Sequence, residues 1–286
     1  DPHEFSLHGL MRQASRTVSL RASEKSLELV CDIAPDVPDM VIGDPMRLQQ
    51  VINNLLGNAI KFTPQGEIMM SVTCIHPAPT PNDVWLAVRI KDTGIGISKD
   101  KQELIFEVFT QADSSTARRF GGSGLGLAIS RSLVKMMGGD ICVTSEVGKG
   151  STFSFTTKLQ AVGSENQKAV DVLPSLKGKT VLVVDDMASS RHVMAKRING
   201  LGMHAVLADG ASQALHSPKL AQATYALIDI SMPDIDGYDL VAQLRKIRTE
   251  QQMPIVMMGT LSDQISQDQL GRMQAQGFLV KPVDAH

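Results

Sequence analysis

The sequence is short of the features that would tie it to nucleic acid, a bilayer or an oxidising compartment. Aromatic residues are 4% of its 286 residues, too few for a surface on which bases stack. Charge of one sign is also missing: 28 Lys and Arg stand against 30 Asp and Glu, a net charge of −2, and the balance is even on both sides of residue 160. A duplex-binding module carries a basic excess, so nucleic acid is not an expected partner. The three cysteines, Cys31, Cys74 and Cys142, are far apart and form no CxxC pair. They read as buried reduced thiols of a cytosolic protein, not as a disulfide framework. No apolar run approaches the ~20 residues that span a bilayer, no signal peptide opens the chain, and no internal repeat is present. The expectation is a cytoplasmic fragment without membrane contact, from a parent protein that can itself be membrane-anchored.

Hydrophobic residues at 43% and charged residues at 20% are ordinary for a globular protein, and the length suits about two domains. One Pro-rich stretch, His76-Pro77-Ala78-Pro79-Thr80-Pro81-Asn82-Asp83, separates two strand-like runs. A second aperiodic stretch, 161–178, with Gly163, Ser164, Pro174 and Gly178, reads as an interdomain linker between domains at 1–160 and 179–286. In the first domain Asp44-Pro45 starts a helix, with Asp as cap and Pro at the first helical position. Ile52, Leu55, Leu56 and Ala59 form its buried stripe. Trp85 to Ile90 alternates as a half-buried strand does. Leu125 to Met137 reads as an amphipathic helix ended by Gly138-Gly139. Beyond the linker, short apolar runs at Val181–Val184, Ala226–Ile228, Ile255–Met258 and Phe278–Val280 alternate with helical stretches, the pattern of buried parallel strands with crossover helices.

Chemistry-bearing residues cluster in the first domain. Asn54, Asn58 and Lys61 share one helix face at i, i+4 and i+7. A side-chain amide is a hard-oxygen ligand of the kind Mg²⁺ takes beside phosphates and water, and Lys61 offers a point charge to a phosphate. The strand ending at Lys91 runs into Asp92-Thr93-Gly94-Ile95-Gly96-Ile97. A carboxylate there can accept the exocyclic amine of adenine, where guanine presents a carbonyl. Arg118-Arg119-Phe120-Gly121-Gly122-Ser123-Gly124-Leu125-Gly126-Leu127 directly precedes a helix, and backbone amides of a Gly-rich turn at a helix start bind anions. The stretch fits neither the Walker A nor the dinucleotide-binding glycine pattern.

The order Asn-x-x-x-Asn-Ala-x-Lys-Phe-Thr, Asp-x-Gly-x-Gly-Ile, Ile-Phe-Glu-x-Phe and Gly-Gly-Ser-Gly-Leu-Gly-Leu resembles the N, G1, F and G2 boxes of sensor histidine kinases. The resemblance covers about Gly43 to Phe155. It implies a Bergerat-type α/β sandwich, a mixed sheet with helices on one face, holding ATP and Mg²⁺ beneath a lid over Glu107–Phe120. By position, Asn58 would hold the Mg²⁺ and Asn54 support it. Lys61 would approach the phosphates, with Arg119 in the Gly-rich stretch as a further nucleotide contact. Asp92 would read adenine, with Ser151 beside it, and Gly94, Gly96, Gly122, Gly124 and Gly126 would shape the pocket. Val108 stands where the F box usually has Pro. Similar folds in gyrase and Hsp90 hydrolyse ATP with a glutamate at the position of Asn54. An amide takes no proton at neutral pH, so the site is expected to pass the γ-phosphoryl to a histidine and not to water.

That histidine belongs to a dimerisation domain whose motif this chain lacks. His3-Glu4-Phe5-Ser6-Leu7-His8 has no Arg-Thr-Pro continuation, and it misses HExxH by one residue. His3 and His8 are expected to be linker or helix residues. The partners implied are a histidine-containing dimerisation domain, absent or supplied in trans, and a downstream phosphotransfer or response-regulator protein. The fragment is expected to be monomeric and the full-length protein a homodimer.

In the second domain, Asp185-Asp186, Asp229 and Lys281 stand at the ends of three apolar runs. In a doubly wound sheet these ends converge on one crevice, where clustered carboxylates call for a cation and Mg²⁺ suits them. Asp229 could attack phosphorus and Lys281 pair with the new charge. From Lys179 onward the pattern resembles a response-regulator receiver of flavodoxin-like topology. The resemblance implies Asp186 as main Mg²⁺ ligand, Asp185 behind it, Asp229 as phosphoacceptor and metal ligand, and the Ser231 carbonyl completing the set. Two departures stand out. Gly259 occupies the position of the usual Thr or Ser, with Thr260 one place late, although Phe278 fills the usual aromatic position. The sequence also stops at His286, so the receiver is expected to be truncated within its last helix. The combined expectation is the ATP-binding core and receiver of a hybrid sensor histidine kinase. The alternative is a core regulated by a non-phosphorylated pseudo-receiver.

Overall fold

A computed structural model describes residues 2–76, 83–107, 125–162, 174–233, 235–263 and 265–283. The chain divides into two compact units, Asp1–Gln167 and Lys168–His286.

The first unit contains β1 (His3–Ser6), α1 (Leu7–Glu24), β2 (Leu27–Ile33), β3 (Met40–Gly43), α2 (Pro45–Phe62), β4 (Gly66–Cys74), β5 (Asp83–Asp92), α3 (Gly126–Met136), β6 (Ile141–Glu146) and β7 (Gly150–Ala161). Its seven-stranded sheet runs β1-β3-β7-β5-β4-β2, with β6 added to β7. The β2–β4 pair is parallel and the other pairs are antiparallel, so the sheet is mixed. Asp44 caps α2 by accepting from Arg47 N at 3.0 Å, with Pro45 opening the helix. The stripe of α2 is wider than the one read from sequence: Leu48, Val51 and Ile60 join Ile52, Leu55, Leu56 and Ala59 in the core. Burying each large member stabilises the fold by roughly 1.5–3 kcal/mol. Gly138, at φ +77°, supplies the left-handed turn that ends α3.

Alternation along β7 gives the sheet two unlike faces. Phe153, Phe155 and Leu159 enter the core with α1, α2 and α3, while Ser154, Thr156 and Lys158 point the other way. Cys142 lies opposite Ser154 on that polar face. It is therefore exposed, whereas Cys31 is buried and Cys74 half-buried, and all three are free; the expectation of three buried thiols holds at Cys31, is met in part at Cys74 and fails at Cys142. His3 lies in β1, paired with Gly43, and not in a linker or helix; His8 sits in α1.

The second unit contains β8 (Thr180–Val184), α4 (Ala188–Gly200), β9 (His204–Ala208), α5 (Ala211–Leu215), β10 (Tyr225–Asp229), α6 (Gly237–Ile247), β11 (Ile255–Gly259), α7 (Gln267–Met273) and β12 (Gly277–Val280). All five strands are parallel, in the order β9-β8-β10-β11-β12. Both faces of β8 are covered. Leu182 and Val184 pack with α5, α6 and α7, and Val181 and Val183 pack with Met194 and Ile198 of α4. Residues 174–178 of the expected linker form a turn on this unit, where Gly178 N donates to the Gly202 carbonyl at 2.8 Å. On β12, Leu279 and Val280 are exposed. Among the described residues no helix is long and apolar enough to cross a membrane.

Trp85 is the single tryptophan of the chain and lies on β5, so its fluorescence follows the first unit alone. Leu55→Ala is expected to lower the stability of that unit by roughly 2–5 kcal/mol, measured as an earlier urea midpoint of Trp85 emission.

Candidate functional site

Two clusters of polar residues sit at strand ends, one in each unit. In the first, Asp92 closes β5 and is buried, 4% exposed. The ten-residue register between β5 and β7 places it opposite Ser151. Its Oδ1 accepts from Gly94 N at 2.9 Å and from Ser151 N at 3.2 Å, while no hydrogen bond reaches Oδ2 from the described residues. Burial raises the Asp92 pKa and the two amides pull it back. The turn after Asp92 is held tightly. A Cβ at Gly94 would lie 2.4 Å from the Phe62 carbonyl at the end of α2, and one at Gly96, at φ +72°, would lie 2.1 Å from the Glu146 carbonyl.

Residues that sequence reasoning missed hold this turn from behind. Ser145 Oγ accepts from Ile97 N at 2.7 Å and donates to the Gly150 carbonyl at 2.8 Å. Gln102 Nε2 donates to the Ile97 and Ser145 carbonyls at 3.0 and 2.8 Å. The Ser151 hydroxyl lies 3.0 Å from that of Ser145, so Ser151 meets Asp92 through its backbone amide. None of these polar residues belongs to a spacing pattern: the pairing of β6 with β7 sets Ser145 against Ser151, and Gln102 reaches both the turn and Ser145 from the segment that follows.

Asn54, Asn58 and Lys61 follow one another along α2. Asn54 Nδ2 donates to Ser130 Oγ of α3 at 2.8 Å. A Cβ at Gly126 would lie 2.5 Å from Asn54 Oδ1, so Gly126 is what allows α3 to start against the Asn54 amide. Asn58 is half-buried and its amide finds no hydrogen-bond partner among the described residues. Lys61 Nζ lies 4.8 Å from the centroid of the Phe62 ring. Arg119, Gly122, Gly124, Val108 and the expected lid from 108 to 120 lie outside the described residues.

In the second unit the ends of β8, β10 and β12 converge. Lys281 Nζ donates to Asp185 Oδ2 and to Asp229 Oδ2, each at 2.8 Å, and all three side chains are buried. Asp185 is held further by Ser190 Oγ at 2.6 Å and Met187 N at 2.8 Å. Ser190, which sequence reasoning missed, comes from the first turn of α4. Carboxylate oxygens of Asp185, Asp186 and Asp229 all lie within 4.8 Å of one another. Asp186 is the half-buried member, its pKa raised by burial and then by Asp185. Burial also pushes Asp229 up to about 6, against the pull of Lys281. Gly259 closes β11, and Thr260 is engaged with Asp263: its backbone N and Oγ1 both donate to Asp263 Oδ2, at 2.7 and 2.8 Å. Phe278 packs against the larger of the two cores of this unit.

Because Asp229 holds its proton at about 6 in the fold and at 3.8 ordinarily, its ionisation opposes folding. The stability it contributes when protonated is complete below pH 3.8 and is lost as pH rises through about 6. In chelator at pH 7.5, Asp229→Asn is expected to stabilise the second unit by up to about 3 kcal/mol, with the advantage shrinking as pH falls. Urea denaturation followed by far-UV circular dichroism measures both.

Residues 43–161 match the family described as histidine kinase-, DNA gyrase B-, and HSP90-like ATPase, and residues 181–286 match the response regulator receiver domain. Sensor histidine kinase AruS of Pseudomonas aeruginosa is 37% identical over 85% of this chain and 24% of its own length. The sensory/regulatory protein RpfC of Xanthomonas campestris pv. campestris is 29% identical over 100% of this chain and 43% of its own. Signal transduction histidine-protein kinase BarA of Escherichia coli is 47% identical over 54% of this chain and 17% of its own. The chain thus spans less than half the length of these relatives. Full-length ShkA in complex with AMPPNP superposes on all of this chain and 55% of its own, with a TM-score of 0.78 at 29% identity. It carries a domain of the histidine kinase-, DNA gyrase B-, and HSP90-like ATPase family followed by a domain of the response regulator receiver family, the domain pair that the sequence leads us to expect of a hybrid sensor histidine kinase.

Proposed function

We propose that this chain is the nucleotide-binding and receiver portion of a phosphorelay, with domains at 1–160 and 179–286 joined by 161–178. The first unit binds ATP, and the γ-phosphoryl goes to a histidine of a dimerisation domain that this sequence does not include, then to Asp229, then to a downstream phosphotransfer or response-regulator protein. The observation that carries the proposal is Asp92: a buried carboxylate whose Oδ1 is fixed by two backbone amides and whose Oδ2 takes no hydrogen bond from the described residues. An acceptor held in that way selects a base with an exocyclic amine. AMPPNP in the ShkA complex is in keeping with an adenine nucleotide.

The residues fit Mg²⁺ in both units, through the Asn58 amide oxygen beside the nucleotide and through the clustered oxygens of Asp185, Asp186 and Asp229. When bound, Mg²⁺ supplies charge neutralisation between phosphate and carboxylate oxygens. Lys61 stands on the same helix face to meet the phosphates, with Arg119, Gly122 and Gly124 expected beside them. Asn54, with its amide committed to Ser130, offers no base to activate water. In the second unit a carboxylate oxygen of Asp229 attacks phosphorus. The new O–P bond replaces the N–P bond of the donor, whose imidazole leaves with the electron pair. Lys281, already on Asp229, holds the charge that develops.

Asp92→Asn is expected to weaken ATP binding by about 10- to 100-fold, the worth of a hydrogen bond to a charged group. Titration with a fluorescent ATP analogue measures it; undiminished affinity defeats the assignment. With Mg²⁺ and a separately expressed histidine domain, radiolabel from ATP is expected on the wild-type chain and absent from Asp229→Asn. A chain that takes no label from that domain or from acetyl phosphate is a pseudo-receiver.

A further inference from the structure

Asp36, Cys74 and His76 lie outside everything assigned above. Cys74 closes β4, and Ile75 N donates to the Trp85 carbonyl at 2.8 Å, so the extended pairing continues past the strand. Side chains two apart on an extended chain share a face, which puts Cys74 and His76 on one side. The connection from β2 to β3 crosses at that point. Ala34 N donates to the Val72 carbonyl at 2.9 Å, and Val37 N closes a turn onto the Ala34 carbonyl at 3.0 Å, presenting Asp36. His76 Nε2 lies 2.9 Å from Asp36 Oδ2, and Cys74 Sγ donates to the Asp36 carbonyl at 3.4 Å. A thiol sulfur, an imidazole nitrogen and a carboxylate oxygen thus stand within 4.8 Å of one another.

We propose that Asp36, Cys74 and His76 form a site for a thiophilic divalent cation of the zinc type. The donor set decides the class: sulfur and imidazole select zinc, while magnesium and calcium take oxygen. Bond lengths near 2.0–2.3 Å place the corners of a zinc tetrahedron about 3.3–3.6 Å apart. The His76–Asp36 pair would open by a few tenths of an ångström and the sulfur would close in. His76 and Asp36 are 67% and 50% exposed, so they can make that adjustment, and water fills the fourth position. Coordination breaks the Cys74 S–H bond and releases one proton to solvent, with His76 binding as neutral imidazole. The site is remote from the nucleotide: the register pairs Cys74 with Leu86 and Ile68 with Asp92, six residues or about 20 Å along the same strands. A bound cation would tie the β2–β3 connection to the end of β4.

Cobalt(II) titration of the reduced full chain tests this, because a thiolate-to-cobalt charge-transfer band cannot arise from the carboxylates of the second unit. The band is expected to saturate at one equivalent and to vanish on adding zinc. Cys74→Ser is expected to abolish it, and His76→Ala, an exposed substitution that leaves the core intact, to weaken cobalt binding by about tenfold or more. Cys142→Ser should change neither. Absence of the band from the wild-type chain, its survival in Cys74→Ser, or its loss in Cys142→Ser would overturn the proposal.

Discussion

A carboxylate taken out of water must be compensated, and each unit is organised around one whose compensation is partial. In the first unit the charge is Asp92, 4% exposed, with two backbone amides on one oxygen. In the second it is the Asp185–Asp229 pair, which shares the single ammonium of Lys281. Both lie at the carboxyl ends of strands, where the following turn and the neighbouring β7 bring amides to Asp92 and the end of β12 brings a lysine to Asp185 and Asp229. Each arrangement keeps the acid in place and leaves acceptor capacity, which the proposed function assigns to a base amine in one case and to a cation or phosphoryl group in the other.

The contact between α2 and α3 gives the first unit its chemical bias. Gly126 lets α3 begin against Asn54, and Ser130, one turn on, takes the Asn54 amide hydrogen. Asn54 is therefore a packing residue as well as a proposed site residue. The position that carries a proton acceptor in related hydrolases is here a neutral amide engaged with its neighbour. In the proposed function, the restraint toward water would rest on this arrangement of Asn54, Gly126 and Ser130 across two helices.

Much of this was legible in the sequence because the signals were local. Asp44-Pro45 announced α2, Gly138-Gly139 the end of α3, and the apolar runs ending in Asp186, Asp229 and Lys281 a parallel sheet with its acids at one edge. What escaped was non-local. β1 and β3 are four residues each, too short to show a period, and their pairing depends on the return of β7. Ser130, Ser145, Gln102 and Ser190 are ordinary polar residues until tertiary contacts choose their partners. Cys142 looked like a buried thiol by composition, yet strand alternation put it on the face with Ser154.

At the end of β11, a side chain at position 259 would meet the side chains of two neighbours at close range. A Cβ there would sit 3.0 Å from Asp263 and 3.0 Å from Ile230 Cδ1, and the adjacent hydroxyl, on Thr260, is already bound to Asp263. Position 259 and its surroundings are thus coupled. A side chain introduced at position 259 would therefore have to displace the Asp263 and Ile230 side chains by a few tenths of an ångström, so its effect depends on whether the Thr260–Asp263 hydrogen bonds give way.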